Sequence, residues 1–537
     1  MRRGAMDGLA GALFAVIVAG GAQLVDARFG ETWFWAVVGG GVLIACAALA
    51  ARPSLVATPF AAWVGATCGV LAAPLLASSL SPPSGPAPAS TQTLDALVEM
   101  SQGDPLIAVA TAWHPVRSAA VSGSWTVGPR LEPGRTYSLV ALASTHGADG
   151  VPPTAADERR FTREAFTRAW RSVDEEGVLA WLATDEAIFA RGVAQIAEVV
   201  ATETREVVPL ANRGFALRVT EGAPRTPYRF LLLVSRGAFG AEEAMRLSAL
   251  AHGLPVRVLF GTGVPARGAW GAFADPRGPS LARDVLRLDL SRRAGRWLDL
   301  TAATADRPVF LRIDEVASPA TRATVGAATV GLLALLLLPM RRRRRMGAAD
   351  APAWPVALSL AVFAAAGAAP FFAIAALAGR TVALGGRAIV DPAVAIAAAL
   401  VGFAGGAHVR NARAATALAL AGAAAAAALR LALGSLVSGP FAAEASREIV
   451  LALAAGLFGL AAAAPSALSR ARLSETMPDA LPWALRAQGV AAFGAAAATP
   501  WLVHWKGFAG VWVAATLAYL LTAAAPSLLP GARSERA

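Results

Sequence analysis

"GLLALLLLPMRRRRRMG" (residues 331–347) sets a run of leucines directly against five consecutive arginines. Alone, five arginines point to nucleic acid or an acidic partner. Behind an apolar run they read as a stop-transfer anchor. Arg341, Arg342, Arg343, Arg344 and Arg345 would then hold the cytoplasmic face and attract anionic lipid. The whole composition agrees. Of 537 residues, 56% are hydrophobic and 16% charged, whereas soluble domains carry about a quarter charged residues. A membrane span needs about 20 mainly apolar residues. Ten stretches qualify, near 8–25, 33–50, 57–79, 323–340, 354–378, 388–408, 414–437, 448–468, 487–505 and 508–527. The last two are close enough to form one re-entrant hairpin.

The expected architecture is therefore a polytopic α-helical membrane protein of about ten spans. Three (residues 1–80) precede a Pro/Ser-rich linker (81–91) and an inserted polar domain (92–320, with subdomains near 92–150 and 151–320). One span with its arginine cluster (321–346) and a six-helix bundle (347–537) follow. Arginine distribution orients it. With the amino terminus inside, short inside segments hold 15 basic residues and short outside loops five: Arg28, Arg380, Arg387, Arg447 and Lys506. That asymmetry is the positive-inside pattern, so both termini are expected in the cytoplasm and residues 80–322 outside it. The first span also has the basic start and apolar core of a signal peptide, and its cleavage would leave every later orientation unchanged. The bias to alanine and arginine, with Lys506 the only lysine, points to a GC-rich bacterial genome and hence to a bacterial inner membrane.

The insert holds 27 Arg against 26 Asp and Glu, so it is nearly neutral, and the high pI belongs to the membrane part. A nucleic-acid-binding domain would concentrate its charge on a folded region; the charge pattern excludes one. Strand-like runs lie at 105–113, at "RTYSLVALAST" (135–145), "GFALRVT" (214–220), "YRFLLLVS" (228–235) and "LPVRVLFG" (254–261), and at "DRPVFLRIDEV" (306–316). Helices are expected over 154–206, with Thr154 as cap and Phe161, Phe166, Trp170, Trp181 and Phe189 on the apolar side, and at "AEEAMRLSALAHG" (241–253) and "SLARDVLRLDLSR" (280–292). The strand–helix–strand step from Tyr228 to Gly261 reads as a crossover in a sheet covered on both faces, an α/β sandwich.

Chemistry is scarce. Cys46 and Cys68 fall in apolar spans, so the insert has no disulfide framework and no thiol nucleophile. The order strand, turn, helix, strand, then "RP" before a strand at 307–312, is similar to a thioredoxin-like fold. "SRGAF" (235–239) would occupy the place of that family's redox pair, but it holds no cysteine, which excludes thiol–disulfide exchange. "LVALASTHGADG" (139–150) with "FLLLVSRG" (230–237) resembles caspase-type peptidases, with His146 beside a nucleophile position filled by Ser235. A serine needs an adjacent base and an oxyanion hole, and the sequence offers neither. His114, His146 and His252 stand alone, without the spacing of metal ligands. The "GTG" at 261–263 reads as a turn, and Asp174, Glu175 and Glu176 as a solvated run near a helix end. No cofactor motif is present.

Ionisable residues inside spans are functional candidates by default. Arg430 lies in the outer half of span 414–437, where snorkelling outward relieves its cost. Asp391 opens span 388–408 and is in sequence reach of Arg387 or Arg430. Pro370, Pro465 and Pro500 interrupt helical runs, as in broken transporter helices or plain kinks. Binding or scaffolding by the outer domain, with membrane or envelope proteins as partners, is the leading expectation. A transport or permease component using Arg430 and Asp391 is the alternative, and an envelope enzyme the third.

Overall fold

The computed structural model describes residues 125–127, 136–144 and 161–310, the last with gaps at 206–208, 221–227, 265–267, 276–277, 296, 305, 309 and most of 239–255; residues 354–524, with gaps at 385–389 and 439–443; and a few single positions. The four apolar stretches at 8–25, 33–50, 57–79 and 323–340, the linker, the run at 105–113, Thr154, His114, His146, His252 and both cysteines lie outside them. So does the whole expected anchor, Arg341, Arg342, Arg343, Arg344 and Arg345. The chain divides into an α/β unit within residues 83–315 and a helical unit that includes 354–524.

In the α/β unit a six-stranded mixed sheet has the order β1-β2-β3-β5-β4-β6. Its strands are β1 (Trp125–Val127), β2 (Tyr137–Ser144), β3 (Val173–Ala183), β4 (Gly214–Val219), β5 (Phe230–Ser235) and β6 (Val256–Gly261). The first three run parallel; β5, β4 and β6 are joined antiparallel. Side chains alternate into two buried clusters. Leu179, Trp181, Leu232 and Val234 enter one, and Val178, Ala180, Leu231 and Leu233 the other. Burial of both faces explains why these strands read as continuous apolar runs rather than alternating ones.

Three helices pack on the first cluster: α1 (Arg163–Arg171), α2 (Glu186–Thr204) and α3 (Pro279–Ala294). Thr162 caps α1, accepting from the Ala165 amide, and Asp185 caps α2, accepting from Ala187 and Ile188. Gly295, left-handed at φ 65°, closes α3.

Two expectations change and one is refined. Trp181 lies on a central strand, not a helix: "GVLAWLA" between α1 and α2 is apolar at every spacing, and pairing with β2 and β5 decides it. The crossover strands β5 and β6 do run the same way, but β4 lies between them. Residues 307, 308 and 310 form no strand; Phe310 instead plugs an aromatic cluster with Phe161, Phe166 and Trp181, whose ring centroids lie 5.2–5.9 Å apart. Among the described residues, the strand after "RP" that the thioredoxin likeness calls for is therefore missing at 307, 308 and 310.

That irregular segment is tied down by polar groups on α2. Fully buried Arg191 donates to the carbonyls of Thr301 (2.9 Å) and Phe310 (2.8 Å) and lies 3.8 Å from the Asp299 carboxylate. One turn on, Gln195 donates to the Phe161 carbonyl at 2.7 Å and accepts from the Ala303 amide at 2.8 Å. A buried guanidinium is tolerable only with such partners. Burial alone would raise the Asp299 carboxyl; Arg191, the Thr301 hydroxyl and amide, and Arg307 outweigh it and hold it at about 2.

The helical unit holds α4 (Trp354–Ala383), α5 (Val390–Gly406), α6 (Ala412–Ser438), α7 (Glu444–Thr476) and α8 (Leu481–Ala523). Four of them, all but the 17-residue α5, are long and apolar enough to cross a membrane. Pro370, Pro465 and Pro500 lie inside α4, α7 and α8, which continue through them.

A continuous helix of 43 residues, the length of α8, would extend about 65 Å, more than twice a bilayer core of about 30 Å. The chain avoids this at Gly507, whose φ of 70° and ψ of −177° break the helix. Up to the break α8 follows α4, with Gln488 against Gly367 and, just past the break, Phe508 against Gly379. A straight continuation would carry Tyr519 about 16 Å farther, past the end of α4 at Ala383. Instead Tyr519 lies on Gly422 of α6 and donates to the Phe458 carbonyl of α7 at 2.8 Å, both well inside their helices. The second arm folds back into the bundle.

Two positions probe the α/β core. A Cβ on Gly192 would sit 2.3 Å from the Trp181 indole nitrogen, so Gly192→Ala should destabilise the unit by about 1–3 kcal/mol through overpacking. Denaturant unfolding followed by tryptophan fluorescence checks it; an unchanged midpoint would show that Trp181 shifts freely. Asp299 ionises near 2 in the fold and near 3.9 unfolded. Its depressed value makes the contribution, about 2.6 kcal/mol, complete above about pH 5 and lost as pH falls through 2. Between pH 5 and pH 2 the wild type should therefore lose more stability than Asp299→Asn, and equal losses would contradict the assignment.

Candidate functional site

The bundle is assembled through small residues. Ala and Gly on facing helices let backbones touch and gain dispersion, the main attraction available between helices in lipid. A Cβ on Gly402 of α5 would lie 1.9 Å from the Gly456 carbonyl oxygen of α7, and one on Gly459 would lie 2.0 Å from the Ala399 carbonyl oxygen. Gly406 meets the Leu460 carbonyl in the same way. Residue numbers rise together along both helices, so α5 and α7 are parallel neighbours.

That register has a chemical consequence at their first turns. Extended back toward the amino termini, it brings Asp391 of α5 level with the stretch of α7 around Arg447. Asp391 is fully buried and Arg447 nearly so. By the same reasoning α4 and the first arm of α8 are parallel, and His504, one turn before Phe508, lies level with the last turns of α4. His504 is buried too, as is Thr381, whose hydroxyl donates to the Leu377 carbonyl. Arg380 of α4 reaches across to α6, donating from Nη1 to the Arg430 carbonyl at 2.8 Å. The carboxyl ends of α4 and α6, the amino ends of α5 and α7 and the α8 corner thus form one end of the bundle. It gathers Arg380, Asp391, Arg430, Arg447 and His504.

The two charges singled out from sequence are placed differently. Asp391 is interior, whereas Arg430 is exposed beside exposed Leu431. Arg430 makes no ion pair with Asp391; its backbone carbonyl, not its guanidinium, carries its one hydrogen bond across helices. Arg387 lies outside the described residues, as do Arg341, Arg342, Arg343, Arg344 and Arg345. From sequence Arg447 stands only as an outer-loop arginine. The signal for Arg447 is its place in "EASREIV" (444–450), one turn into a helix as Asp391 is in "VDPAV" (390–394).

The α/β unit supplies no catalytic constellation from the predicted residues. Ser235 is fully buried at the end of β5, paired with Val178, which pairs with Leu139. The strand leading to His146 ends at Ser144, level with Phe230 at the other end of β5. Five residues of strand, about 17 Å, separate the two registers, so the peptidase likeness does not hold. Asp174 to Gly177 bulge out of β3 between the Tyr137–Val173 and Leu139–Val178 pairs, just past the end of α1 at Arg171 and its cap Ser172. The Arg236 guanidinium and amide cover the bulge, donating to the carbonyls of Val173 and Gly177. "GTG" is a turn, with Gly263 at φ 72° and the Thr262 hydroxyl donating to the Ala211 carbonyl. Among the described residues no three His, Cys, Asp or Glu side chains converge as metal ligands would.

The chain matches no known protein family, no curated protein and no solved structure.

In an apolar bundle a buried carboxylate and a guanidinium at one level are far less costly together than apart. Asp391→Ala or Arg447→Ala should each lower the yield of folded protein and its thermal midpoint in detergent, and the exchange Asp391→Arg with Arg447→Asp should restore most of both. A double exchange no better than the single variants would remove the pairing.

Proposed function

We propose that this chain is a multi-pass protein of the bacterial cytoplasmic membrane, with about ten spans arranged three, one and six. Its α/β unit stands outside the cytoplasm and binds a ligand or partner there, as part of an envelope complex. The membrane reading draws on the four long apolar helices and on the further apolar stretches of the sequence. It draws also on the concentration of arginine in alternate short loops, the run Arg341, Arg342, Arg343, Arg344 and Arg345 above all.

One surface carries the binding reading. Helix α3 buries Ala282, Leu286 and Leu290 against the sheet, yet its opposite side shows Leu281, Val285 and Leu288 to solvent. Those positions are spaced i, i+4, i+7, the pattern of anchors on a helix that meets a partner. Just past the Gly295 cap, Trp297 is 62% exposed, with the Arg287 guanidinium 4.6 Å above its ring. Among the described side chains, the other tryptophans and the phenylalanines of this unit are buried in its core, so a tryptophan left outside beside an apolar stripe marks an interaction surface. The buried polar groups Arg191 and Gln195 are spent on holding the fold, which favours recognition at the surface over chemistry in a pocket.

The alternative, a transport component, is favoured by the buried ionisable groups at one end of the bundle. The two readings separate in one experiment. Full-length protein extracted from its native membrane in mild detergent should retain a stoichiometric partner. The variant Val285→Glu/Leu288→Glu should lose about 90% or more of it, since each buried apolar anchor is worth about 1.5–3 kcal/mol. Equal retention by the variant, or a wild-type protein that arrives alone, would overturn the binding reading, and substrate flux in Asp391→Asn would then test transport.

A further inference from the structure

The α8 corner adds a second feature to the polar end of the bundle. Phe508 lies against Gly379, so Lys506, two residues before it, stands at the same end as the neighbouring Arg380. The Lys506 ammonium sits 4.6 Å over the Trp505 ring, and Trp505 stacks on Trp501 with centroids 5.7 Å apart and planes 13° from parallel. Trp505 and Lys506 are exposed. Arg380, held to the Arg430 carbonyl at 2.8 Å, links this corner to α6. Neither the Arg430 guanidinium nor the Lys506 ammonium meets a carboxylate among the described residues.

We propose that this rim, Arg380, Arg430 and Lys506 flanked by Trp501 and Trp505, binds the anionic headgroup of a membrane phospholipid. Depth selects a lipid over a soluble anion. Arg430 lies roughly two turns before Ser438, the end of α6, or about 12 Å down the helix axis. Its neighbour Leu431 is 82% exposed, a surface suited to acyl chain. A cation at that depth draws a headgroup phosphate inward, and guanidinium matches phosphate bidentately. Stacked tryptophans belong to the same interfacial zone, and basic sites between membrane helices are sites for anionic headgroups. The carboxylates at this end, Asp391, Glu444 and Glu448, are carried by α5 and α7, so the α4–α6–α8 side presents cations.

The test uses full-length protein, stripped of endogenous lipid in neutral detergent and equilibrated with equimolar phosphatidylglycerol and phosphatidylcholine. The lipid that co-elutes is then extracted and quantified. Wild type should retain phosphatidylglycerol preferentially, and Arg430→Gln/Lys506→Gln should reduce that preference about tenfold or more, at about 1 kcal/mol per lost cation near the surface. Arg410→Gln/Arg413→Gln, an equal loss of charge at the opposite end of α6, should leave it unchanged. Arg430→Lys should keep most of it, which guards against a misfolded double variant. No preference in the wild type, or an equal fall in both double variants, would overturn the proposal. Displacement of the lipid by millimolar inorganic phosphate would overturn it as well, by assigning the rim to a soluble anion.

Discussion

Backbone contact between helices is the constraint on which the membrane part rests. Where the α-carbons of Gly402 and Gly459 press against carbonyl oxygens of the facing helix, two helices have no side chains between them and cannot slide without collision. In water, apolar bulk would drive such an association; in lipid, acyl chains solvate a leucine as well as another leucine does, and close approach is what gives helices a preference for each other. The glycines thereby do more than join α5 to α7. They fix a register, and the register decides which polar residues, remote in sequence, end at one level. Asp391 level with Arg447 is a consequence of Gly402 against Gly456.

The α/β unit solves its packing problem the opposite way. Its core is built from large rings, Phe161, Phe166, Trp181 and Phe310 edge to face and tilted, and its irregular closing segment has no ladder to satisfy its carbonyls. Arg191 supplies that need. A guanidinium offers five donors in a rigid fork, so one side chain from α2 answers two carbonyls and faces one carboxylate, where apolar residues of equal volume would have left the carbonyls without donors. Gln195, one turn along, does the same for the chain entering α1.

How far this was legible from sequence follows from the same physics. Strands β2, β4, β5 and β6 and helix α3 were readable because apolar runs bounded by polar turns have one outcome at those lengths. Trp181 was not, because a strand buried on both faces loses the alternation that would distinguish it from a helix. Phe310 misled for a related reason: "PVFL" has strand composition, but its burial comes from an aromatic socket and its carbonyl bond from Arg191, neither of them local. In the bundle, the apolar helices were readable by length, while their registers were not. Alanine and glycine are distributed around all sides of α5 and α7, so no stripe announces which face meets which neighbour, and Arg447 could not be distinguished from a loop arginine.

The charged residues of the bundle therefore divide by what surrounds them rather than by sequence position. Asp391 and Arg447 are enclosed by helices, where a lone charge would be prohibitive and a matched pair locks two helices at one level. Arg430 and Lys506 look outward from neighbouring helices at the same end. Exposing either to acyl chain alone would cost several kcal/mol. The headgroup layer is the one surrounding that supplies negative charge at that depth, which makes the bilayer itself the counter-ion of this end of the protein.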